Sequence, residues 1–329
     1  MKTPVSVVIE SVGAYIPPKV LSNADLEKIV DTSDQWIFGR TGIRERRIVA
    51  EGMSTSDMAI EAALSCLASS KVPAAEIDLI IVASASPDYA FPSTACIVQH
   101  AILARTAAAF DMEIGCTGFI YALATGAQFI SAGVYRNVMV IGAETLSRFV
   151  DWTDRNTCVL FGDGAGAALL TQGPAGEGIL AFHLGADGSQ WNLLSLPAGM
   201  ARLPASEQTL KKGLHYIHME GRAVFKFAVK AMDVSLKALL DKLGKTAGDI
   251  DLLIPHQANS RIIDSACQRF NIPREKIMMN IDKYGNTSSA SIAIALYEAY
   301  SEGRIKKGDL VVLVGFGAGL SWGSLAIRW

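Results

Sequence analysis

Residues 74–83 read AAEIDLIIVA, and residues 247–256 read AGDIDLLIPH. Each is an acidic turn followed by an unbroken apolar run, the pattern of a strand buried on both faces of a sheet. The offset is 173 residues, and it also carries Leu123 onto Leu296 within two helix-like stretches and Gly142, in VMVIGAET, onto Gly315, in LVVLVGFGAG. One register explains all three pairs. A period this long exceeds any solenoid repeat, so the chain is expected to be two copies of an α/β unit packed about a pseudo-twofold axis. Alternating strands and helices predict parallel sheets. The copies meet where TQGPAGE clusters Gly and Pro around Pro174, giving halves of residues 1–174 and 175–329.

Composition agrees with a large folded core. Of 329 residues, 50% are apolar and 19% charged, which excludes disorder and coiled coil as global descriptions. Thirty basic against thirty-two acidic residues give a net charge of −2, so no global attraction toward nucleic acid exists. The five cysteines, Cys66, Cys96, Cys116, Cys158 and Cys267, are odd in number and form no C-x-x-C pair, which fits a reducing cytoplasm and neither a disulfide framework nor a zinc knuckle. The N-terminus carries Lys2 and its apolar stretch is broken by Glu10, unlike a secretory signal. Residues 114–135 hold no charge, but four glycines and Gln128 assign them to a helix buried in protein rather than in lipid.

Glycine-rich turns raise the question of a nucleotide. Gly315, Gly317 and Gly319 follow an apolar strand, yet only ten residues remain beyond them, too few for the helix and acidic ribose ligand of a dinucleotide fold. Gly162, Gly164 and Gly166 lead into an apolar run that ends at Pro174 and reads as a strand. His215 and His218 form H-x-x-H without an obvious third ligand, so no metal is expected.

Chemistry is expected where strands end. Residues 107–114 read as a strand, Gly115 permits a turn, and Cys116 heads the uncharged helix TGFIYAL. A cysteine there meets free backbone N–H groups and the helix dipole, which predicts a lowered thiol pKa and a nucleophile. His256 closes the strand DLLIP at the end where α/β sheets place ligands. Asn286 follows Gly285 at a tight turn before another helix, which Ser288 could cap.

GCTGFIYAL around Cys116, PHQANSRII around His256 and YGNTSSAS around Asn286 closely resemble the β-ketoacyl-acyl carrier protein synthase III family, the initiating condensing enzymes of bacterial fatty acid synthesis. DTSDQWIFGRTGIRERR, PDYAFPSTA, DWTDRNTCVLFGDGAGAA and GFGAGLSWGS extend the likeness over nearly the whole chain in the same order. The resemblance implies a duplicated, five-layered α-β-α-β-α thiolase-like fold working as a cytoplasmic homodimer, with no cofactor beyond the CoA thioester used as substrate and no membrane or nucleic acid partner. It implies ping-pong condensation of a short acyl-CoA with malonyl-acyl carrier protein, Cys116, His256 and Asn286 being catalytic and the backbone N–H groups of Cys116 and Ala318 forming an oxyanion hole. Thr32, Trp36, Arg40, Arg155 and Arg222 resemble CoA contacts. Phe91, reaching across the dimer, and Phe161 resemble acyl-pocket residues, and Lys226, Arg261 and Arg269 resemble carrier-protein docking residues. Thr117, Gly115 and the run Ser84-Ala85-Ser86 depart from the common pattern. A family member that moves an acyl group onto a hydroxyl or amine acceptor is the alternative.

Overall fold

The computed structural model describes residues 5–329; Lys2 lies outside them. In chain order the elements that position the site are β1 (Ser6–Tyr15), α1 (Asp34–Thr41), α2 (Thr55–Ala68), β2 (Leu79–Ala83), α3 (Thr94–Ala101), β3 (Ala108–Met112), α4 (Gly118–Ser131), β4 (Val138–Thr145), β5 (Asp163–Gly173), β6 (Gly178–Ala186), α5 (Gly221–Leu243), β7 (Leu252–Pro255), α6 (Ser260–Phe270), α7 (Ala290–Ser301), β8 (Leu310–Gly317) and β9 (Ser321–Arg328).

The strands form two main sheets, ordered β1-β5-β4-β2-β3 and β6-β9-β8-β7. The second repeats the first: β7 stands for β2, β8 for β4, β9 for β5 and β6 for β1. A single parallel bridge between Leu253 and Ile277 stands where β3 would be. The expectation of parallel sheets is corrected. Only β2, β3 and β4, and then β7 and β8, run parallel; β5 and β1, like β9 and β6, pair antiparallel. Residues 318–320 are too few for a crossover, so β8 and β9 can only form a hairpin.

Alternation along the strands builds the layers. Leu79 and Ile81 of β2 face inward with Val311 and Leu313 of β8, against Phe119, Ile120 and Leu123 of α4 and Ile292 and Leu296 of α7. Ile80 and Val82 face outward onto α2 and α3, while Leu253, Val312 and Val314 face α5 and α6. The order is therefore helices, sheet, the α4–α7 pair, sheet, helices: a duplicated five-layered fold. The uncharged segment contributes a helix of 14 residues, and among the described residues no helix is long and apolar enough to cross a membrane.

Candidate active site

Cys116 lies in the single turn Gly115–Thr117 that leads into α4. Gly115 adopts φ +54°, which suits glycine, and a Cβ there would sit 3.0 Å from the Ala318 nitrogen. A Cβ at Gly317 would come within 2.6 Å of the Cys116 nitrogen. These glycines let backbone from the two halves touch, which brings Cys116 and Ala318 together. Thr117 fixes the contact: its hydroxyl donates to the Ile114 carbonyl at 2.8 Å and lies 2.7 Å from the Ser321 hydroxyl in the other half.

The predicted low thiol pKa is corrected. Burial pushes the Cys116 thiol up to about 12; a hydrogen bond from Ser288 opposes this, while the negative charges of Glu144 and then Glu113 add to it. Desolvation is the largest of these causes. The resting group is a neutral thiol.

His256 follows β7, its N–H donating to the Val314 carbonyl at 2.8 Å. Its ring packs edge-on to Phe316 with centroids 5.3 Å apart. Nδ1 lies 2.7 Å from the Ser291 hydroxyl in the first turn of α7, and that oxygen also accepts the Gln257 N–H at 3.4 Å. Among the described residues the Ser291 proton has no acceptor besides Nδ1, so Ser291 donates and the ring hydrogen sits on Nε2. Nε2 is buried without a partner. The orphan is a donor awaiting an oxygen.

Burial lowers the His256 pKa from its ordinary 6.5 to about 3. Between those values the unfolded chain binds a proton that the folded chain excludes, so the contribution to stability is complete above 6.5 and is lost as pH falls toward 3. Denaturant unfolding over this range should show a loss of about 1.4 kcal/mol per pH unit from this group, and His256→Gln should remove that component of the slope. Equal slopes in the two proteins would mean that the imidazole charges inside the fold.

Asn286 is held by backbone on both sides: its N–H donates to the Leu160 carbonyl at 2.8 Å, and its carbonyl accepts the Gly162 N–H at 3.0 Å. Its Oδ1 accepts the Ser288 N–H at 2.9 Å, which assigns the amide and leaves the NH2 without an acceptor among the described residues. Ser288 does not cap α7. It sits at φ +45°, and Ser289 takes the cap position without a capping side-chain bond.

Cys116, Ser288, Ala318 and Phe161 line one cavity of about 720 Å³, walled further by residues 87–90, 194–196 and 198–200. Phe91, on the same loop as the lining residues Tyr89 and Ala90, is 85% exposed and does not line it. Trp36 packs into the cluster that includes Phe161, Leu146 and Ile217 of the cavity wall. The guanidinium carbons of Arg40 and Arg155 lie 4.6 and 5.2 Å from its ring centroid, the geometry of cation–π attraction. Arg155 donates to the Asp31 carbonyl at 3.0 Å, and the Thr32 hydroxyl beside it is buried without a partner. Three of the CoA candidates thus form one group, whereas Arg222 stands exposed at the start of α5. Lys226 is exposed on the same helix, Arg261 lies 5.8 Å from the Phe225 ring, and Arg269 is ion-paired to Asp233. Among the described residues no cluster of His, Cys, Asp and Glu could hold a metal.

Sequence reasoning missed Ser291 and Glu144. In the sequence Glu144 is an acid ending the apolar strand VMVIGAET, a pattern that does not say what the carboxyl meets.

Residues 110–188 match the family model 3-oxoacyl-[acyl-carrier-protein (ACP)] synthase III, and residues 240–329 match its C-terminal companion. The chain is 56% identical to the β-ketoacyl-[acyl-carrier-protein] synthase III of Caldanaerobacter subterraneus subsp. tengcongensis over 317 residues, 96% of each chain. It is 54% identical to the enzyme of that name from Symbiobacterium thermophilum over 321 residues, 98% of this chain and 97% of the other. The crystal structure of 3-oxoacyl-[acyl-carrier-protein] synthase III from Aquifex aeolicus superposes with a TM-score of 0.91 at 47% identity, covering 98% of this chain and 100% of that one. The duplicated fold and these likenesses define a thiolase-fold condensing enzyme, a transferase of acyl groups. The chain belongs to the β-ketoacyl-acyl carrier protein synthase III family.

Proposed function

We propose that this chain joins a short acyl group from acyl-CoA to the two-carbon unit of malonyl-acyl carrier protein, releasing carbon dioxide and starting a fatty acid. What supports this is Cys116 and Ser288 on the wall of one cavity, with two unpartnered donors on the elements that adjoin it: the Asn286 NH2, whose Oδ1 holds the Ser288 N–H, and His256 Nε2, whose ring packs on Phe316 next to the Gly317 that touches Cys116. Cys116 attacks the acyl-CoA carbonyl, and the backbone N–H groups of Cys116 and Ala318 hold the oxyanion that forms. CoA leaves and an acyl-enzyme remains, which divides one hard step into two easier ones. Malonyl-carrier protein then enters, His256 and Asn286 donate to its thioester oxygen, and the enolate formed on decarboxylation attacks the acyl-cysteine.

Trp36 and Arg155, with Arg40 and Thr32, hold the adenine end of CoA; Arg222 sits nearer its phosphates. Lys226 and Arg261 steer the acidic carrier protein by raising its association rate, and Arg269, already paired with Asp233, contributes less. A homodimer is part of the same proposal: exposed Phe91 reaches a partner's acyl pocket, and β3 ends its sheet as an open edge. The chain divides into halves at Pro174, supported by the passage from β5 to β6 over residues 174–177 with no strand exchanged between the sheets. Five free cysteines support a cytoplasmic location. Identities above 50% to condensing enzymes favour condensation over transfer to a hydroxyl or amine acceptor.

The test is intact mass after mixing with a panel of acyl-CoAs, then with malonyl-carrier protein. An adduct on Cys116 that disappears as β-ketoacyl-carrier protein and carbon dioxide form is the expected result, and the best primer names the substrate. An adduct that survives malonyl-carrier protein but passes to an alcohol or amine would overturn condensation.

A further inference from the structure

The turn between Asn286 and α7 needs something to hold it. Ser288 sits at φ +45°, a region that a residue with a Cβ occupies only where its surroundings fix it. Its N–H donates to Asn286 Oδ1, so the direction of the Asn286 NH2 depends on where the amide of residue 288 lies. The hold comes through the next residue, from the other half of the chain.

Glu144, one residue before the end of β4, is 0% exposed. Its Oε1 accepts the Ser289 N–H at 3.3 Å and lies 2.7 Å from the Ser289 hydroxyl, which is also 2.8 Å from the Ala83 carbonyl. Its Oε2 accepts the Ser86 hydroxyl at 2.5 Å and the Ala85 N–H at 3.1 Å. The Ser86 oxygen in turn accepts the Thr145 N–H at 2.9 Å, which braces the carboxyl against the loop after β2. A Cβ at Gly142 would come within 2.4 Å of the Ser289 carbonyl oxygen, so the glycine lets the turn rest directly on β4.

A backbone N–H cannot turn round, and one faces each oxygen of Glu144, which suits a carboxylate, a group that only accepts. Among the described residues none of its hydrogen-bond partners is a cation. A buried charge without a counter-ion costs stability, and residues 138–143 of the same strand hold no polar side chain. Cohesion alone would be served by one more apolar residue. We propose that Glu144 is a positioning residue for condensation: its carboxylate holds the turn at Ser289 and thereby sets the direction in which the Asn286 NH2 donates.

The proposal rests on Asn286 stabilising the enolate, and the experiment separates the two. Glu144→Gln keeps the shape. Its carbonyl oxygen can keep the Ser86 hydroxyl and the Ala85 N–H, while its NH2 takes the place of Oε1, donates to the Ser289 oxygen and leaves the Ser289 N–H facing another donor. The change therefore falls on the turn and spares the cavity wall at Ala85. Acylation by acetyl-CoA, followed by intact mass, should keep the wild-type rate or rise, because a negative charge that opposes ionisation of the Cys116 thiol is gone. Release of carbon dioxide from malonyl-carrier protein on the acylated enzyme should slow about tenfold, less than the roughly 10²-fold that a misplacement of about 1 Å can cost, with KM for malonyl-carrier protein unchanged. On an Asn286→Ala background the same substitution should cost less than about twofold, since the group it aims is absent. Ser289→Ala removes the shorter of the two bonds from the turn to Oε1 and should give the same pattern at about threefold, which carries the test if Glu144→Gln does not fold. Condensation at the wild-type rate in both variants, equal loss of both half-reactions, or a loss undiminished by Asn286→Ala would overturn the proposal. Condensation at the wild-type rate by Asn286→Ala itself would instead overturn the role of Asn286.

Discussion

Replacing Cys116 by alanine is expected to give a folded protein that takes up no acyl group from any acyl-CoA. The side chain lies at the cavity wall, 8% exposed, so deleting Sγ trims one atom beside existing space rather than opening a new void in the core. The backbone contacts that position residue 116 come from Gly115, Gly317, Thr117 and Ser321, and all remain. The proposed oxyanion hole would use only backbone N–H groups, which the substitution leaves in place. What disappears is the atom that forms the covalent bond, and no oriented hydroxyl or thiol replaces it. Intact mass with acetyl-CoA should show the unmodified protein only, while decarboxylation of malonyl-carrier protein continues because His256 and Asn286 are untouched. Labelling at Cys66, Cys158 or Cys267 is not expected, since burial raises each of those thiols to about 11. A stoichiometric adduct on the variant would place the nucleophile elsewhere and dismantle the mechanism.

How far the letters of the chain carry can be judged from two places. The 173-residue register aligns β2 with β7, β4 with β8 and α4 with α7 because buried strands and buried helices both require long apolar runs, and such runs leave a visible trace. The same trace does not report strand direction. β5 and β9 are buried along most of their length like the parallel strands, and the reversal of β9 follows from the three-residue connection 318–320, which composition does not weigh. At the site, the places of Cys116, His256 and Asn286 in the fold were legible because each adjoins the end of an element at a glycine or a turn. The protonation states were not. A helix N-terminus favours a thiolate, yet the desolvation that opposes it depends on the opposite half closing over the loop through Gly317, 201 positions away in sequence. Ser291 and Glu144 stayed hidden for a related reason. One is a serine within a helix and the other an acid within a strand, and only the folded chain shows that both face buried polar atoms that need them.

Asn286→Ala should divide the two half-reactions. Acylation needs Cys116 and the Cys116–Ala318 oxyanion hole, neither of which uses the Asn286 side chain, so the acyl-enzyme should still form, slowed less than about tenfold. Decarboxylation builds negative charge on the malonyl thioester oxygen, which His256 Nε2 and the Asn286 NH2 are proposed to hold; losing one such donor typically costs about 10²- to 10³-fold, or about 2.7–4 kcal/mol of transition-state stabilisation. The backbone of residue 286 stays in place, since its bonds to Leu160 and Gly162 involve no side-chain atom. The residual slowing of acylation comes from Ser288, whose N–H loses the Oδ1 that holds its left-handed backbone. Asn286→Asp separates these effects. It keeps an oxygen for the Ser288 N–H but sets a negative charge against the enolate, so acylation should recover toward wild type while condensation falls below that of the alanine variant. Stopped-flow release of carbon dioxide on the acylated enzyme, compared with adduct formation by mass, measures both. Equal loss of acylation and condensation in the alanine variant would reduce Asn286 to a support for the turn before α7, and would leave His256 alone to stabilise the enolate.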